Sequence, residues 1–153
     1  MRLVSRDPCA VEEYRRLYRE VGGQWYWHDR LEWSDDQLAE YLADPSVQVW
    51  ELEVNGESAG YFELQQADDA SVEIVYFGLM PGYMGRGLGK YLLDRAIAAA
   101  GRMGAPRLWL HTCTLDAPQA LPNYKARGFR EYWTQRLEVD LEGMEVVGER
   151  LLD

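Results

Sequence analysis

The sequence has few of the residues that build metal sites or disulfide frameworks. Its 153 residues include 2 cysteines, Cys9 and Cys113, which lie far apart, and 2 histidines. This spacing fits neither a zinc cluster nor a disulfide scaffold, so we expect no metal site and a cytoplasmic location. No apolar run approaches the roughly 20 residues that span a bilayer, and the first residues resemble neither a signal peptide nor a transit peptide. The sequence therefore predicts neither membrane insertion nor export.

Positive charge is scarce over the whole chain but not over its middle. Lys and Arg number 16 against 26 Asp and Glu, a net charge of −10, which argues against general affinity for nucleic acid phosphates. Residues 1–80 contain 6 basic and 17 acidic side chains, and residues 137–153 contain 1 basic and 6 acidic ones. Residues 81–136, by contrast, contain 9 basic and 3 acidic side chains. The division suggests one surface for an anion and another for a cation, although clustering on solvated faces would give the same counts.

Two helices are predicted before the first long strand. The length of the chain and its 47% hydrophobic residues are typical of one globular domain, which we expect over residues 1–153. Apolar residues recur at helical spacing after Asp7-Pro8, a pair typical of a helix start with Asp7 as the N-cap. Ser34 and Gln37 have the spacing of a capping box and predict a second, short helix.

A period of two then predicts strands. Residues 47–54 alternate between two faces, and Asn55-Gly56 predicts a hairpin, because a type I′ turn needs positive φ at both central positions. Residues 72–79 are β-branched and aromatic, as in a central strand. The rest of the chain predicts a helix from Leu88, a strand over residues 107–113, a helix from Asp116 to Arg127 and a strand over residues 129–140. This order indicates a mixed α/β fold.

A glycine-rich segment, residues 81–90, lies between a predicted strand and a predicted helix. Its glycines let several backbone N–H groups point outward, and the helix N-terminus adds about half a positive charge, so the segment suits a phosphate. It is not a Walker loop, because Met84 and Tyr91 replace the required glycine and hydroxyl residue, and it lacks the dinucleotide-binding pattern. A different phosphate-bearing cofactor is therefore expected.

Residues 81–90 (Pro-Gly-Tyr-Met-Gly-Arg-Gly-Leu-Gly-Lys) and residues 124–129 (Tyr-Lys-Ala-Arg-Gly-Phe) form two motifs. Together they resemble the GNAT superfamily of acetyl-CoA-dependent N-acetyltransferases. The pyrophosphate loop of that family reads [Arg/Gln]-x-x-Gly-x-[Gly/Ala], often after Pro-x-Tyr. The residues in register are Pro81, Tyr83, Gly85, Arg86, Gly87 and Gly89. Met84 departs from the pattern, because it stands where the family usually has Arg or Gln. Downstream, residues 124–129 (Tyr-Lys-Ala-Arg-Gly-Phe) resemble the Tyr-x-x-x-Gly-Phe ending of the family's fourth helix.

This resemblance implies acetyl-CoA as co-substrate and assigns its contacts. The implied cofactor-binding residues are Phe77, Leu79, Met84, Gly85, Arg86, Gly87, Leu88, Gly89, Lys90 and Asn123. Arg86 and Lys90 are expected to compensate for the side-chain contact that Met84 weakens. A backbone N–H around Phe77 would polarise the thioester carbonyl and stabilise the developing oxyanion.

The resemblance also assigns two catalytic residues. Tyr124 would protonate the departing CoA thiolate, and Glu73 matches the position of the general base that removes a proton from an incoming ammonium. A packed tyrosine and an ion-paired carboxylate are the structural alternatives, and Glu63 is a second candidate base. His111 and Cys113 share a strand face, but packing explains them better than acyl-cysteine chemistry.

The fold implied is a single GNAT-like domain with a mixed, mostly antiparallel sheet and flanking helices. The function implied is acetyl transfer to a primary amine of a small molecule or peptide by direct attack, and the acidic residues 1–80 favour a cationic acceptor. Alternatives are another acyl group, a hydroxyl acceptor, or a non-catalytic module that binds or senses CoA. An aromatic group either lines the acceptor pocket or fills the core, and a homodimer is left open. That aromatic group consists of Trp25, Tyr26, Trp27, His28 and Trp33.

Overall fold

A central sheet flanked by helices organises the part of the chain that the computed structural model describes, residues 1–25, 27–111, 120–133 and 136–141. The strands are β1 (Arg2–Ser5), β2 (Val47–Val54), β3 (Glu57–Gln66), β4 (Val72–Leu79), β5 (Arg107–His111), β6 (Arg130–Trp133) and β7 (Arg136–Asp140). The α-helices are α1 (Val11–Gly22), α2 (Asp35–Ala43), α3 (Leu88–Arg102) and α4 (Ala120–Ala126). Short 3₁₀ turns cover Gly23–Trp25, Asp29–Glu32 and Pro81–Tyr83.

The seven strands form one sheet in the order β1-β2-β3-β4-β5-β7-β6. Only the β4–β5 pair is parallel among these neighbours, which confirms the predicted mixed, mostly antiparallel sheet. The prediction of one strand over residues 129–140 is wrong, because the chain reverses and β6 pairs antiparallel with β7. No described helix is long and apolar enough to cross a bilayer.

The first residues of α1 and α2 show whether the two predicted N-caps are present. The prediction of Asp7 as an N-cap is wrong: α1 starts at Val11 after Ala10, and the first helical bond runs from Tyr14 N–H to the Ala10 carbonyl. The reason lies upstream, where the Arg6 N–H still bonds across to β2 and leaves Asp7 in the connection. The capping box of Ser34 is confirmed. The predicted start of α4 at Asp116 lies outside the described residues.

Two hydrophobic clusters cover the two faces of the sheet. The cluster on the α3 and α4 side includes Leu52, Phe62, Leu64, Ile74, Leu108 and Leu110 of the sheet and Leu92 of α3. The cluster on the α1 and α2 side includes Tyr14 and Leu17 of α1, Leu38 of α2, and Val49 and Tyr61 of the sheet. The helices are amphipathic and bury their apolar faces here, so burial on both faces stabilises the central strands.

A bulge in β4 changes which side chains face each cluster. Glu63 of β3 pairs with Tyr76, but Leu64 pairs with Ile74, so one extra β4 residue lies between them. Strict alternation would put Ile74 and Tyr76 on one face. Instead, Ile74 and Phe77 pack on the α3 side, whereas Tyr76 packs on the α1 side. The bulge therefore turns Phe77 toward the loop and α4.

The parallel pairing between β4 and β5 is short. It runs from Val72–Leu108 to Ile74–Leu110, while β4 continues to Leu79. The last part of β4 therefore extends beyond its pairing with β5. This leaves room for a cavity at the carboxyl end of β4, where ligands bind in many α/β proteins.

Candidate functional site

A cavity of about 460 Å³ lies between the end of β4, the glycine-rich loop and α4. The predicted site residues that line it are Phe77, Leu79, Met84, Gly85, Gly87, Gly89, Lys90, Asn123 and Tyr124. Their positions span almost 50 residues of sequence. The fold thus brings the two motifs and the end of β4 to one place.

The glycine-rich loop has a backbone that only glycine adopts readily. Gly85 and Gly87 have φ of 76° and 75°, in the left-handed region where a side chain would strain the chain. Gly87 is the residue before α3, and α3 is 15 residues long. The unpaired N–H groups of its first turn and the helix dipole favour an anion at this end.

Arg86 and Leu88 of the loop are not among the described residues that line the cavity. Arg86 is exposed, and its guanidinium carbon lies 5.2 Å from the centre of the Tyr83 ring. Leu88 is 8% exposed and packs into the core, so it could serve a ligand only through its backbone N–H. Of the two cations expected to compensate for Met84, Lys90 lines the cavity and Arg86 is not among the described lining residues.

The α4 helix supplies one polar and one aromatic wall residue. Asn123 Nδ2 donates to the Gly89 carbonyl at 3.1 Å, which ties α4 to the start of α3. Its Oδ1 is buried and has no hydrogen-bond partner in the described part of the chain. Tyr124 is 5% exposed, with ring centres 6.0 Å from Phe77 and 5.8 Å from Phe129. A buried acceptor without a donor is costly, so Asn123 is poised for a ligand N–H.

Glu73 lies on β4 before the bulge. It is not among the described residues that line the cavity. Its side chain is 23% exposed, and Oε2 lies 3.5 Å from Nδ1 of His111. Burial raises the pKa of Glu73 above its ordinary value, while the nearby His111 opposes the rise. Glu73 is thus a partly buried carboxyl that holds its proton more tightly than an exposed one.

Glu63, the second candidate base, is fully buried. Its carboxylate accepts hydrogen bonds from the hydroxyls of Tyr14 and Tyr41. Arg30 Nη2 also donates to it at 3.2 Å. Because three donors surround it and solvent does not reach it, Glu63 is placed to fix Arg30 rather than to take a proton from a substrate.

Arg30 also stacks on three aromatic rings. We call Arg30 and these three rings the cation–aromatic cluster. The guanidinium carbon lies 4.0 Å from the ring centre of Trp33, 4.8 Å from Tyr41 and 5.4 Å from Tyr76. Such contacts stabilise a partly desolvated cation. The sequence did not reveal this cluster. Arg30 and Trp33 lie three residues apart on one turn, but Tyr41 and Tyr76 come from α2 and β4, and no local pattern connects them to that turn.

The aromatic group predicted between the first two helices divides in the structure. Trp25 and Trp27 line the cavity, and Trp33 belongs to the cation–aromatic cluster. The His28 side chain is 76% exposed, and Tyr26 lies outside the described residues. Trp27 and Trp33 also pack against the hydrophobic cluster on the α1 side, so the core alternative applies to them, and an acceptor pocket at this group stays a prediction.

Comparisons with known proteins agree with this geometry. The chain matches the model of the acetyltransferase (GNAT) family over residues 11–129. Uncharacterized N-acetyltransferases of Mycobacterium bovis and Mycobacterium tuberculosis are each 38% identical over 77 residues, which are 50% of this chain and 49% of the relative. The match thus spans about half the length of these curated relatives.

Solved structures share the fold. PaiA N-acetyltransferase of Thermoplasma acidophilum, in complex with coenzyme A, has a TM-score of 0.69 and 16% identity, covering 92% of this chain and 99% of that one. Ribosomal-protein-S18-alanine N-acetyltransferase of Escherichia coli has a TM-score of 0.67 and 19% identity, with 89% of both chains covered. Since the family model covers residues 11–129, from α1 through the loop to the end of the second motif, this chain belongs to the acetyltransferase (GNAT) family.

Proposed function

We propose that this chain transfers an acetyl group from acetyl-CoA to a primary amine by direct attack on the thioester. The observation that carries the proposal is the cavity that unites the glycine-rich loop, the end of β4 and Tyr124. When bound, acetyl-CoA supplies an activated acetyl group. The protein then has to bind the cofactor, orient the thioester and move two protons.

The walls of the cavity fit the chemistry of CoA. The loop at Gly85 and Gly87, the N-terminus of α3 and the ammonium of Lys90 suit a pyrophosphate. The buried Oδ1 of Asn123, which has no partner among the described residues, suits an amide N–H such as those of the pantetheine arm. The cavity thus offers complementary atoms both to the anionic pyrophosphate of CoA and to the amides of its pantetheine arm.

The end of β4 offers its backbone to the same arm. The Leu79 carbonyl already accepts a hydrogen bond from Gln24 Nε2 at 3.1 Å. Phe77 is therefore the better candidate for pairing with the pantetheine amides. A β4 N–H at this level would polarise the thioester carbonyl, since a fixed donor needs no reorganisation as negative charge develops.

Two side chains are proposed to move protons. Tyr124 lines the cavity and would donate its hydroxyl proton to the departing thiolate. The amine nitrogen would lose its second proton to solvent water as the C–S bond breaks. Glu73 would accept the first proton, which the ammonium loses before it attacks. Because Glu73 lies outside the cavity lining described above, we propose that this proton travels through water.

The acceptor is proposed to be a cationic amine. The charge count of residues 1–80 overstates the free negative charge, because buried Glu51 and Glu63 are paired with arginines. Other carboxylates remain exposed on the segment from residue 29 through α2. They include Asp29, Glu32, Asp36 and Glu40. A cluster of exposed carboxylates attracts a cation and raises its rate of encounter.

Calorimetry with acetyl-CoA and an assay of thiol release test the proposal. We expect acetyl-CoA to bind and a panel of primary amines to accelerate release of the CoA thiol. Binding without amine-dependent release would instead identify a CoA-sensing module, and release driven by alcohols would identify a hydroxyl acceptor. Absence of acetyl-CoA binding would contradict the proposed function altogether.

A further inference from the structure

Two tryptophans form one wall of the cofactor cavity. Trp25 and Trp27 line it together with Phe77, Gly78 and Leu79 of β4. We propose that this wall sets the length of the acyl group and restricts the chain to short acyl-CoA donors. The inference rests on the proposed function, since it requires an acyl-CoA in this cavity.

The Trp27 indole packs over Gly22, where no side chain would fit, and lies near Gly78 of β4. A Cβ added to Gly22 would lie 2.4 Å from Cε3 of Trp27. A Cβ on Gly78 would lie 2.4 Å from Cγ1 of Val21 and 3.6 Å from Cη2 of Trp27. The six-membered ring of the indole therefore lies close to the β4 backbone at Gly78. This is the stretch of β4 proposed to hold the thioester.

Contacts on its other sides hold Trp27 in place. Its backbone N–H donates to the Gly22 carbonyl at 3.1 Å. Its ring centre lies 5.6 Å from that of Tyr18 and 4.9 Å from that of Tyr76. Tyr18 and Tyr76 in turn meet edge to face at 5.0 Å. A ring packed against two others resists displacement by a ligand.

The turn that carries Trp25 is also attached to β4. Gln24 Nε2 donates to the Val21 carbonyl at 3.2 Å and to the Leu79 carbonyl at 3.1 Å. These bonds connect the end of α1 to the end of β4 across the 3₁₀ turn. The wall is thus fixed at Gln24 as well as at the Trp27 ring, and it will not give way to a longer acyl chain at small cost.

A rigid apolar wall discriminates by length in a predictable way. A methylene that finds apolar space gains about fourfold in affinity, whereas a methylene forced into a packed wall loses affinity. The acetyl methyl group would contact the wall, and additional methylenes would be pressed into Trp27. Removing the indole would convert this penalty into a gain.

Calorimetric titration with acetyl-, propionyl-, butyryl- and hexanoyl-CoA tests the inference. For the unmodified chain we expect the Kd of butyryl-CoA to exceed that of acetyl-CoA on the order of tenfold. In Trp27→Ala the order should reverse, with a gain of up to about fourfold for each methylene that fits. In Trp27→Phe, the ratio of the Kd of butyryl-CoA to that of acetyl-CoA should lie between the ratios of the unmodified chain and of Trp27→Ala.

Trp50→Ala is the matched control. Trp50 packs near Phe62, with ring centres 6.4 Å apart, and is not among the described residues of the cavity lining. This variant should keep the original order of acyl-CoA affinities. Circular dichroism reports whether each variant folds. If Trp27→Ala does not fold, the two single variants Trp27→Phe and Trp25→Ala replace it in the test.

Two results would contradict this inference and leave the proposed function intact. One is equal affinity for acetyl- and butyryl-CoA in the unmodified chain. The other is an unchanged order of affinities in folded Trp27 or Trp25 variants that still bind acetyl-CoA. If no acyl-CoA binds to the unmodified chain, the proposed function itself is contradicted, and this inference with it.

Discussion

At the scale of single residues, the raised pKa of Glu73 leads to a prediction of how kcat/KM depends on pH. Burial raises the pKa of Glu73 and His111 opposes the rise. A base works only when ionised, so kcat/KM should increase with pH through a pKa above the ordinary glutamate value of about 4.3. We expect Glu73→Gln to lose this acidic limb and to lower kcat/KM roughly 100-fold at neutral pH.

Unfolding measurements separate this effect from a loss of structure. Because the folded-state pKa is raised, the ionised carboxylate of Glu73 disfavours the folded state once the pH rises through that pKa. Glu73→Gln should therefore be no less stable at neutral pH than the unmodified chain. An unchanged pH profile in this variant would exclude Glu73 as the base.

Tyr124 makes a second prediction at this scale. Its ring packs between Phe77 and Phe129, and phenylalanine would keep those contacts. Tyr124→Phe should therefore lower kcat roughly 100-fold through loss of the proton donor, with little change in the Kd of acetyl-CoA. Tyr132→Phe, at an exposed tyrosine on β6, is the matched control. Full kcat in Tyr124→Phe would show that this hydroxyl donates no proton in the rate-limiting step.

At the scale of elements, Glu51 connects two strands and a helix. It is 2% exposed, and its carboxylate lies 2.7 Å from Nη2 of Arg6, just after β1, and 2.8 Å from Nη2 of Arg16 on α1. We expect Glu51→Gln to lower the free energy of unfolding by about 2 kcal/mol at neutral pH. Glu20→Gln, which removes an exposed partner of Arg16, should change it by less than about 0.5 kcal/mol.

The stabilisation by Glu51 should disappear in acid. Burial alone would raise its pKa, but Ser58, Arg16 and Arg6 together outweigh burial and lower the pKa. A depressed folded-state pKa gives stability that is present above the unfolded value of about 4.3 and is lost as the pH falls through the folded value. Denaturant titrations across this range check the point. A Glu51→Gln deficit that stays undiminished as the pH falls well below the ordinary glutamate pKa of about 4.3 would contradict it.

The elements differ in how far the sequence predicts them. Asn55 and Gly56, with φ of 53° and 81°, confirm the predicted hairpin, because the turn depends on two adjacent residues. The glycine-rich loop was predictable for the same local reason. The face of Phe77 was not, because the β4 bulge depends on pairing with β3. Likewise, no sequence pattern brings Arg30 to Glu63, which is 33 positions away.

At the scale of the whole molecule, the distribution of charge bears on the acceptor. The middle of the chain carries the loop and Lys90, whereas the segment from residue 29 through α2 exposes carboxylates. If these carboxylates attract a cationic acceptor, kcat/KM should fall as salt rises, because exposed charges are screened. We expect the double variant Asp36→Asn, Glu40→Gln to lower kcat/KM for a cationic amine at least about threefold at low salt.

Asp68→Asn is the matched control for that variant, since it removes an exposed carboxylate in the β3–β4 connection. It should leave the salt dependence unchanged. Preference for anionic acceptors, or a kcat/KM that does not respond to salt, would show that the charge division serves solvation instead of steering.

The most direct test of acetyl transfer follows acetyl-CoA with a panel of primary amines, measuring CoA thiol release together with the mass of the amine product. We expect thiol release that depends on the amine, a product heavier by one acetyl group, and strong loss of both in Tyr124→Phe. Thiol release that is the same with and without every amine, and no acetylated product, would contradict acetyl transfer.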